Sequence, residues 1–352
     1  MPSARAVYFT GERELDVRTT EVSEPGPSEV LVRTSVSAIS PGSELLVYRG
    51  NAPAEMDADA TIDALSGSFD FPLQYGYAAA GTVVAVGSDV EADLLGESVF
   101  AFQPHASHFL ASPDDLLRIP EGYAHEEAVF LPNVETAVNL VLDGSPRVGE
   151  QAVVFGQGVV GLLTTGLLAE CPLSDLVALD CYPARRELAR EMGADRCFDA
   201  GGDEGDGIDA DAEPVETVRS HLSRPDTPAG ADLSYELSGD PSALDDAVTV
   251  TGYDGRVLVG SWYGDKRADL NLGGAFHRSR IDISSSQVST LDPELRGRWD
   301  TERRLRVAWR RLGELDVSRL VTHRFPVESA ADGYRLLDDR PDDALSVLLT
   351  YD

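Results

Sequence analysis

Six consecutive residues, Gly156, Gln157, Gly158, Val159, Val160 and Gly161, carry the clearest chemical signal in this chain. They follow the apolar run Val153-Val154-Phe155 and spell G-x-G-x-x-G, a spacing that binds dinucleotides. Gly156 permits a tight turn, Gly158 admits a pyrophosphate close to the backbone, and Gly161 lets the next helix pack on the strand. Phosphate oxygens then meet the free N–H groups and positive dipole end of the helix over Leu162 to Ala169. A second apolar run, Leu176-Val177-Ala178-Leu179, ends in Asp180 at the distance where a carboxylate accepts from the adenosine ribose. Asp180 repels a 2′-phosphate, so NAD is the expected cofactor. Arg185 and Arg186 keep NADP open, because an arginine pair accommodates that phosphate.

Other groups offer proton chemistry. His105 and His108 follow the run Phe100-Ala101-Phe102, and imidazole is the natural acid–base group near neutral pH. The alternative is a structural role at a strand end. Asn133 and Glu135 read as helix-start polar residues or as substrate contacts. Tyr48 is a further outside candidate. Cys171, Cys181 and Cys197 are too few and too scattered for a disulfide framework or a metal knuckle.

The elements that must position these groups fall into two patterns. Residues 5 to 125 read as short strands and turns, with Ala6-Val7-Tyr8-Phe9 and Glu29-Val30-Leu31-Val32-Arg33 separated by the Pro25-Gly26-Pro27 turn. Gly81 to Gly87 and Ser98 to Phe102 add two more strands, so an all-β, barrel-like module is expected. From Glu126 helix and strand alternate. Helix Val134 to Leu142 leads to the glycine strand, and helix Pro183 to Met192 follows it. Strands are expected at Leu233 to Leu237, Arg256 to Gly260 and Ile281 to Ile283, then an arginine-rich helix from Thr301 to Leu312. The last strand, Leu345 to Thr350, returns to the first module. At 352 residues, two domains are the natural division.

The charge is extreme, with 61 acidic against 29 basic residues and a formal −32; Lys266 is the sole lysine. Such a chain repels itself at low salt, whereas in molar salt the screening length falls to ~3 Å. A salt-rich cytoplasm is therefore expected, with carboxylates holding hydration. The run Asp203 to Asp211 fits a solvated surface loop better than a calcium loop, since it lacks the ligand order. The same charge disfavours nucleic acid. No stretch nears ~20 uninterrupted apolar residues and the first residues lack an apolar run, so neither a membrane span nor a signal peptide is expected.

Several segments together resemble the medium-chain dehydrogenases/reductases along nearly the whole length. They are Gly76-Tyr77-Ala78-Ala79-Ala80-Gly81-Thr82-Val83, Gly96-Glu97-Ser98-Val99, Ile119-Pro120-Glu121-Gly122 and the glycine strand. Met192-Gly193-Ala194-Asp195, Tyr235 to Gly239 and Gly255 to Gly260 complete the order. The resemblance implies a GroES-like catalytic domain over residues 1–128 and 293–352. A doubly wound Rossmann domain over residues 129–292 interrupts it, with a catalytic cleft between the two. It also puts Ser238 and Gly260 at the cofactor. Zinc-dependent members carry C-G-[ST]-D and G-H-E motifs, which here become Pro41-Gly42-Ser43-Glu44 and Gly76-Tyr77-Ala78. The third ligand position falls near Pro132, and the four-cysteine lobe has no counterpart, so no zinc is expected. The Ser-Pro-Gly-Ser-Glu version, with Phe276-His277-Arg278 and the Arg298 to Arg304 run, resembles a subgroup labelled threonine-dehydrogenase-like or bacteriochlorophyllide-dehydrogenase-like.

By the same resemblance Ser43 matches a relay hydroxyl, against a plain turn serine. Glu44 is either a structural carboxylate paired with arginine or a terminal base. Tyr77 either donates to an oxyanion or fills the vacated metal position; its ordinary pKa of ~10 needs lowering for base work. The expected function is zinc-independent hydride transfer between NAD(P) and a small alcohol or carbonyl substrate. The alternatives are reduction of an activated C=C bond or quinone, and a redox sensor without turnover. A cytoplasmic homodimer is expected, paired through the strand from Arg280 to Ser284.

Overall fold

The computed structural model describes residues 3–53, 55–58, 62–201, 214–222 and 229–352. The acidic run Asp203 to Asp211, expected as a surface loop, lies outside the described residues. The chain divides into two packed units: Met1–Pro132 with Leu312–Asp352, and Asn133–Arg311. These boundaries differ from the expected 128/129 and 292/293. The second lies later because the helix Thr301–Glu314 carries Arg304, which is buried in the second unit against Glu135 and Asn139.

In the second unit the strands are β8 (Gln151–Phe155), β9 (Asp175–Asp180), β10 (Arg196–Asp199), β11 (Ala231–Glu236), β12 (Thr251–Val259) and β13 (Asp282–Ser285). They form one parallel sheet in the order β10-β9-β8-β11-β12-β13, the doubly wound arrangement. Strand β8 is buried along its whole length because helices cover both faces of a parallel sheet. Its side chains alternate accordingly. Val153 and Phe155 pack with Val177, Leu179 and Val257 on one face, while Ala152 and Val154 pack with Leu176, Leu233 and Leu258 on the other.

The first unit holds β1 (Ser3–Gly11), β2 (Glu14–Glu21), β3 (Val30–Ile39), β4 (Ala79–Val86), β5 (Ser98–Ala101), β6 (His108–Ala111) and β7 (Leu116–Arg118), then β14 (Val321–Pro326) and β15 (Ser346–Thr350). A hairpin pairs β1 with β2, and a mainly antiparallel sheet runs β14-β15-β3-β4-β5-β7 with β6 also on β3. The Pro25-Gly26-Pro27 turn forms as expected and is closed from below: the Glu29 amide donates to the Gly26 carbonyl at 3.1 Å. Strand β15 lies between β14 and β3, so the chain does return to its first module.

Helix boundaries follow backbone chemistry. The helix expected from Val134 begins at Leu131, since Pro132 sits in a first turn where its missing N–H costs nothing. The glycine-motif helix spans Val159–Ala169 with Gly158 as its N-cap, and is apolar because it is almost wholly buried. Among the described residues no helix is long and apolar enough to cross a membrane.

Candidate functional site

In the second unit the glycine motif turns from β8 into the helix Val159–Ala169. Gly156 has φ +86°, and a β-carbon there would stand 2.5 Å from the Ser238 Cα. A β-carbon at Gly161 would stand 1.9 Å from the Gly156 carbonyl oxygen. Gly158 is different: a β-carbon would meet nothing within 4 Å. Two glycines thus serve packing, while the open space at the third lies at a helix N-terminus and suits a phosphate. Val159 and Val160 open that helix and contribute backbone N–H groups there.

Asp180 and Gln157 brace the turn. Asp180 is buried; its Oδ2 accepts from the Gln157 amide at 2.7 Å and its Oδ1 from the Tyr182 amide at 2.8 Å. The Gln157 side chain faces inward, donating to the Val154 carbonyl at 3.2 Å and accepting from the Thr165 hydroxyl at 2.9 Å. The expected arginine pair separates. Arg186 is buried, donating to the Asp180 carbonyl at 2.8 Å and pairing with Asp199 at 3.0 Å, whereas Arg185 stacks over the Tyr182 ring at 4.6 Å. Ser238 gives its amide and hydroxyl to the buried Glu236 carboxylate, which also accepts from the Tyr263 hydroxyl. Burial, then that hydrogen bond, pushes the Tyr263 phenol well above its ordinary value. Gly260 is a packing position, since a β-carbon would lie 2.6 Å from Leu237 and 2.8 Å from Leu140.

In the first unit the helix Pro41–Tyr48 and the turn Gly76-Tyr77 bring Ser43 and Tyr77 together. The Tyr77 hydroxyl donates to the Ser43 oxygen across a long 3.3 Å, and both residues are half-buried. Two hydroxyls at that spacing can donate to one developing oxyanion. Behind them lies a fully buried set. Glu44 accepts from the Ser40 amide at 2.8 Å, from His105 Nε2 at 2.9 Å, and from the Tyr334 hydroxyl. His105 Nδ1 meets the Ser37 hydroxyl at 2.7 Å, and Ser37 meets the Tyr351 hydroxyl at 2.8 Å. Glu44 is therefore held by histidine and tyrosine rather than by the expected arginine. Neither Glu44 nor His105 is exposed, so neither touches a substrate directly.

The remaining candidates lie in both units. His108 lies at the start of β6, its Nδ1 3.1 Å from the Ser107 hydroxyl; burial, then Arg33 and Arg5, hold its pKa down. Glu135 is buried against Arg304, with 3.0 Å from its Oε1 to Nε, which answers the substrate-contact alternative with a structural pair. Burial raises the Glu135 carboxyl more than Arg304 lowers it. Tyr48 is buried and packs on the Tyr334 ring at 5.5 Å. Sequence reasoning missed Ser37, Tyr334 and Tyr351. Ser37 lies beyond the expected strand Glu29 to Arg33, and no local pattern marked the two tyrosines.

The three positions matched to zinc ligands are Pro41, at the helix start, Tyr77, bonded to Ser43, and Pro132. Two have no side-chain donor, and the third is a phenol hydrogen-bonded to Ser43. Among the described residues no group of three or more His, Cys, Asp or Glu is placed to hold a metal. The nearby Glu44 and His105 already have hydrogen-bond partners at all four of their side-chain N and O atoms. This donor set does not fit a four-coordinate catalytic zinc.

Residues 159–302 match the family described as zinc-binding dehydrogenase. The chain is 24% identical over 340 residues to D-guloside 3-dehydrogenase of Escherichia coli K12, covering 92% of this chain and 93% of that one. It is 25% identical over 289 residues to (R,R)-butanediol dehydrogenase of Bacillus subtilis, covering 73% and 77%. Among solved structures, the alcohol dehydrogenase rspB of E. coli CFT073, complexed with NADH, superposes with TM-score 0.77 at 19% identity, covering 99% of both chains.

Proposed function

We propose that this chain belongs to the zinc-type alcohol dehydrogenase-like superfamily of medium-chain dehydrogenases/reductases and moves hydride between a nicotinamide cofactor and an alcohol/carbonyl pair without zinc. It is an NAD(P)-dependent dehydrogenase, and the cofactor supplies the hydride chemistry when bound. The observation that carries the zinc-free reading is the Ser43–Tyr77 hydroxyl pair standing where proline, tyrosine and proline replace metal ligands. A catalytic zinc acts as a Lewis acid on the substrate oxygen. Here, in the reduction direction, the Tyr77 hydroxyl gives its hydrogen to that oxygen as negative charge develops on it, and the half-exposed Ser43 gives its own hydrogen to the Tyr77 oxygen and is reprotonated from solvent. One preorganised donor of this kind is worth about 3 kcal/mol, a rate factor of 10² to 10³.

Gly156, Gln157, Gly158, Val159, Val160, Gly161 and Asp180 hold the dinucleotide in this reading. NAD is preferred over NADP. Asp180 is a fixed anion at the ribose position, and Arg186 is committed to Asp199 rather than free to meet a 2′-phosphate. The guloside and butanediol dehydrogenases point to a secondary alcohol beside a second hydroxyl as the substrate class. The surplus of acid over base supports work in a salt-rich cytoplasm. Strand β13 lies at the edge of its sheet and supports a homodimer paired there.

The test is an NADH fluorescence titration in molar KCl, then turnover of a panel holding butane-2,3-diol, acetoin, glycosides, enals and quinones, with metal analysis of the active protein. Expected are tight NADH binding, turnover of a vicinal diol or hydroxyketone, and activity that survives EDTA. Stoichiometric zinc in the active protein sinks the metal-free reading. Turnover confined to enals or quinones replaces it with C=C or quinone reduction, and binding without any turnover replaces it with a sensor.

A further inference from the structure

We propose that His105 is the positioning residue of the active centre, clamping the helix that carries Ser43 to the turn that carries Tyr77. The proposal rests on the reading of Ser43 and Tyr77 as the polar pair that holds the substrate oxygen.

The imidazole touches both carriers. Its Nε2 lies 2.9 Å from the carboxylate of Glu44, the residue after Ser43. The same ring edge lies against Gly76, the residue before Tyr77, so closely that a β-carbon on Gly76 would stand 2.6 Å from Nε2. Gly76 also has φ +114°, a conformation that L side chains rarely adopt. Glycine at 76 and histidine at 105 are therefore one fitted contact, and it sets how near Tyr77 comes to Ser43.

The ring is itself fixed from three sides. Its backbone carbonyl accepts from the Val7 amide at 2.9 Å, tying it to β1. Its Nδ1 meets Ser37 of β3, which is backed by Tyr351. Glu44 is held in turn by Tyr334 and by the Ser40 amide at the helix start, where the helix dipole favours a carboxylate. With a neutral imidazole, one consistent set of hydrogens satisfies every group. Tyr351 donates to Ser37, Ser37 to Nδ1, and the Nε2 hydrogen and Tyr334 both donate to Glu44. This buried chain ends in tyrosines and not in a substrate-facing group. It holds geometry rather than carrying protons to the reaction, and a displacement of about 1 Å at a reacting group can cost a factor of 10² in rate.

The experiment compares crystal structures and kinetics of the wild type, His105→Phe, His105→Gln and Ser37→Ala. In His105→Phe the Ser43–Tyr77 separation is expected to open by about 1 Å. For whichever of butane-2,3-diol or acetoin is turned over, kcat should fall roughly 10- to 100-fold, with KM and the NADH Kd within about twofold. His105→Gln, whose amide can still reach Glu44, restores part of both. In a Tyr77→Phe background His105→Phe should lower kcat no further. An unchanged separation in His105→Phe, or a full additional loss in the Tyr77→Phe background, overturns the proposal. Should His105→Phe fail to fold, Ser37→Ala, which releases Nδ1 without adding volume, is expected to show the same opening on a smaller scale. A separation unchanged there also overturns it. If neither compound is turned over by the wild type, the functional reading is in question, and the crystallographic comparison still decides the positioning role.

Discussion

Asp180 braces the glycine turn from the end of the neighbouring strand, its Oδ2 accepting the Gln157 amide at 2.7 Å while its Oδ1 accepts the Tyr182 amide at 2.8 Å. One carboxylate thus shapes the phosphate turn and fixes the start of the helix Pro183–Glu191. Asn in its place keeps one acceptor and turns an NH2 group towards an amide donor. Asp180→Asn is expected to weaken NADH about tenfold, the scale of one charged hydrogen bond. NADPH should gain nothing, because Arg186 stays buried against Asp199. Fluorescence titration with both nucleotides checks this, and a variant that prefers NADPH contradicts it.

Gly158 and Gly161 separate affinity from stability. Gly161→Ala drives a β-carbon to 1.9 Å from the Gly156 carbonyl, so the turn must shift. A loss of about 1–3 kcal/mol in unfolding free energy is expected, as for an overpacked core. Gly158→Ala meets open space at an ordinary φ of −68°, so stability should stay within about 0.5 kcal/mol. Its methyl instead stands in the path of the pyrophosphate, and NADH affinity should drop at least tenfold. Urea unfolding without cofactor, followed by NADH titration, distinguishes the two.

Asp338 gives a pH prediction. It sits in the helix Ala330–Asp339 and takes Arg49 at 2.5 Å and Arg13 at 2.7 Å. Burial alone would raise its carboxyl, but the hydrogen bonds from Arg13 and Arg49 outweigh burial and hold it below the ordinary 3.8. The folded state therefore binds this proton less tightly than the unfolded one. The stabilisation is present above about pH 4 and is lost as the pH falls through the depressed folded value. Asp338→Asn should cost roughly 1 kcal/mol at pH 7, and its stability should fall less steeply than the wild type's below pH 4. Parallel unfolding curves over that range would contradict the assignment.

Net charge supplies a salt prediction. With a formal −32, self-repulsion acts over ~10 Å at 0.1 M salt and ~3 Å at 1 M. The melting temperature should climb by about 5 °C or more between 0.1 M and 2 M KCl. A melting temperature indifferent to KCl would remove the argument for a salt-rich interior.

The cofactor half was legible because its information is local. Strand, glycines, helix and acid follow one another within a few dozen residues, and each glycine's need shows in its spacing. The polar network of the first unit was not legible in that way. Glu44 reaches His105 across 61 positions and Tyr334 across 290, so no short window of sequence shows those three together. The arginine-rich helix shows the same limit. Arg304 is buried with Glu135, whereas Arg303 stacks over Trp299 and Arg306 is mostly exposed. Periodicity alone did not say which arginine turned inward. The resemblance marked Pro41, Tyr77 and Pro132 as the positions matched to metal ligands, but nothing in it showed that Glu44 and His105 are hydrogen-bonded to each other.

The place of β15 between β14 and β3 has a consequence for biosynthesis. Val36 to Ile39 of β3 pair with Val347 to Thr350, and Val36, Ala38, Ile39, Val347, Leu348 and Leu349 among them are buried apolar residues of the first module. That edge stays open until the ribosome has added some three hundred further residues, roughly fifteen seconds to a minute of translation. Residues 133 to 311 are released within that interval and can fold around their own sheet first. The module made earliest is thus the one completed last, and the hydrogen bonds of Tyr334 and Tyr351 to Glu44 and Ser37 are among the last contacts that nascent chain can make.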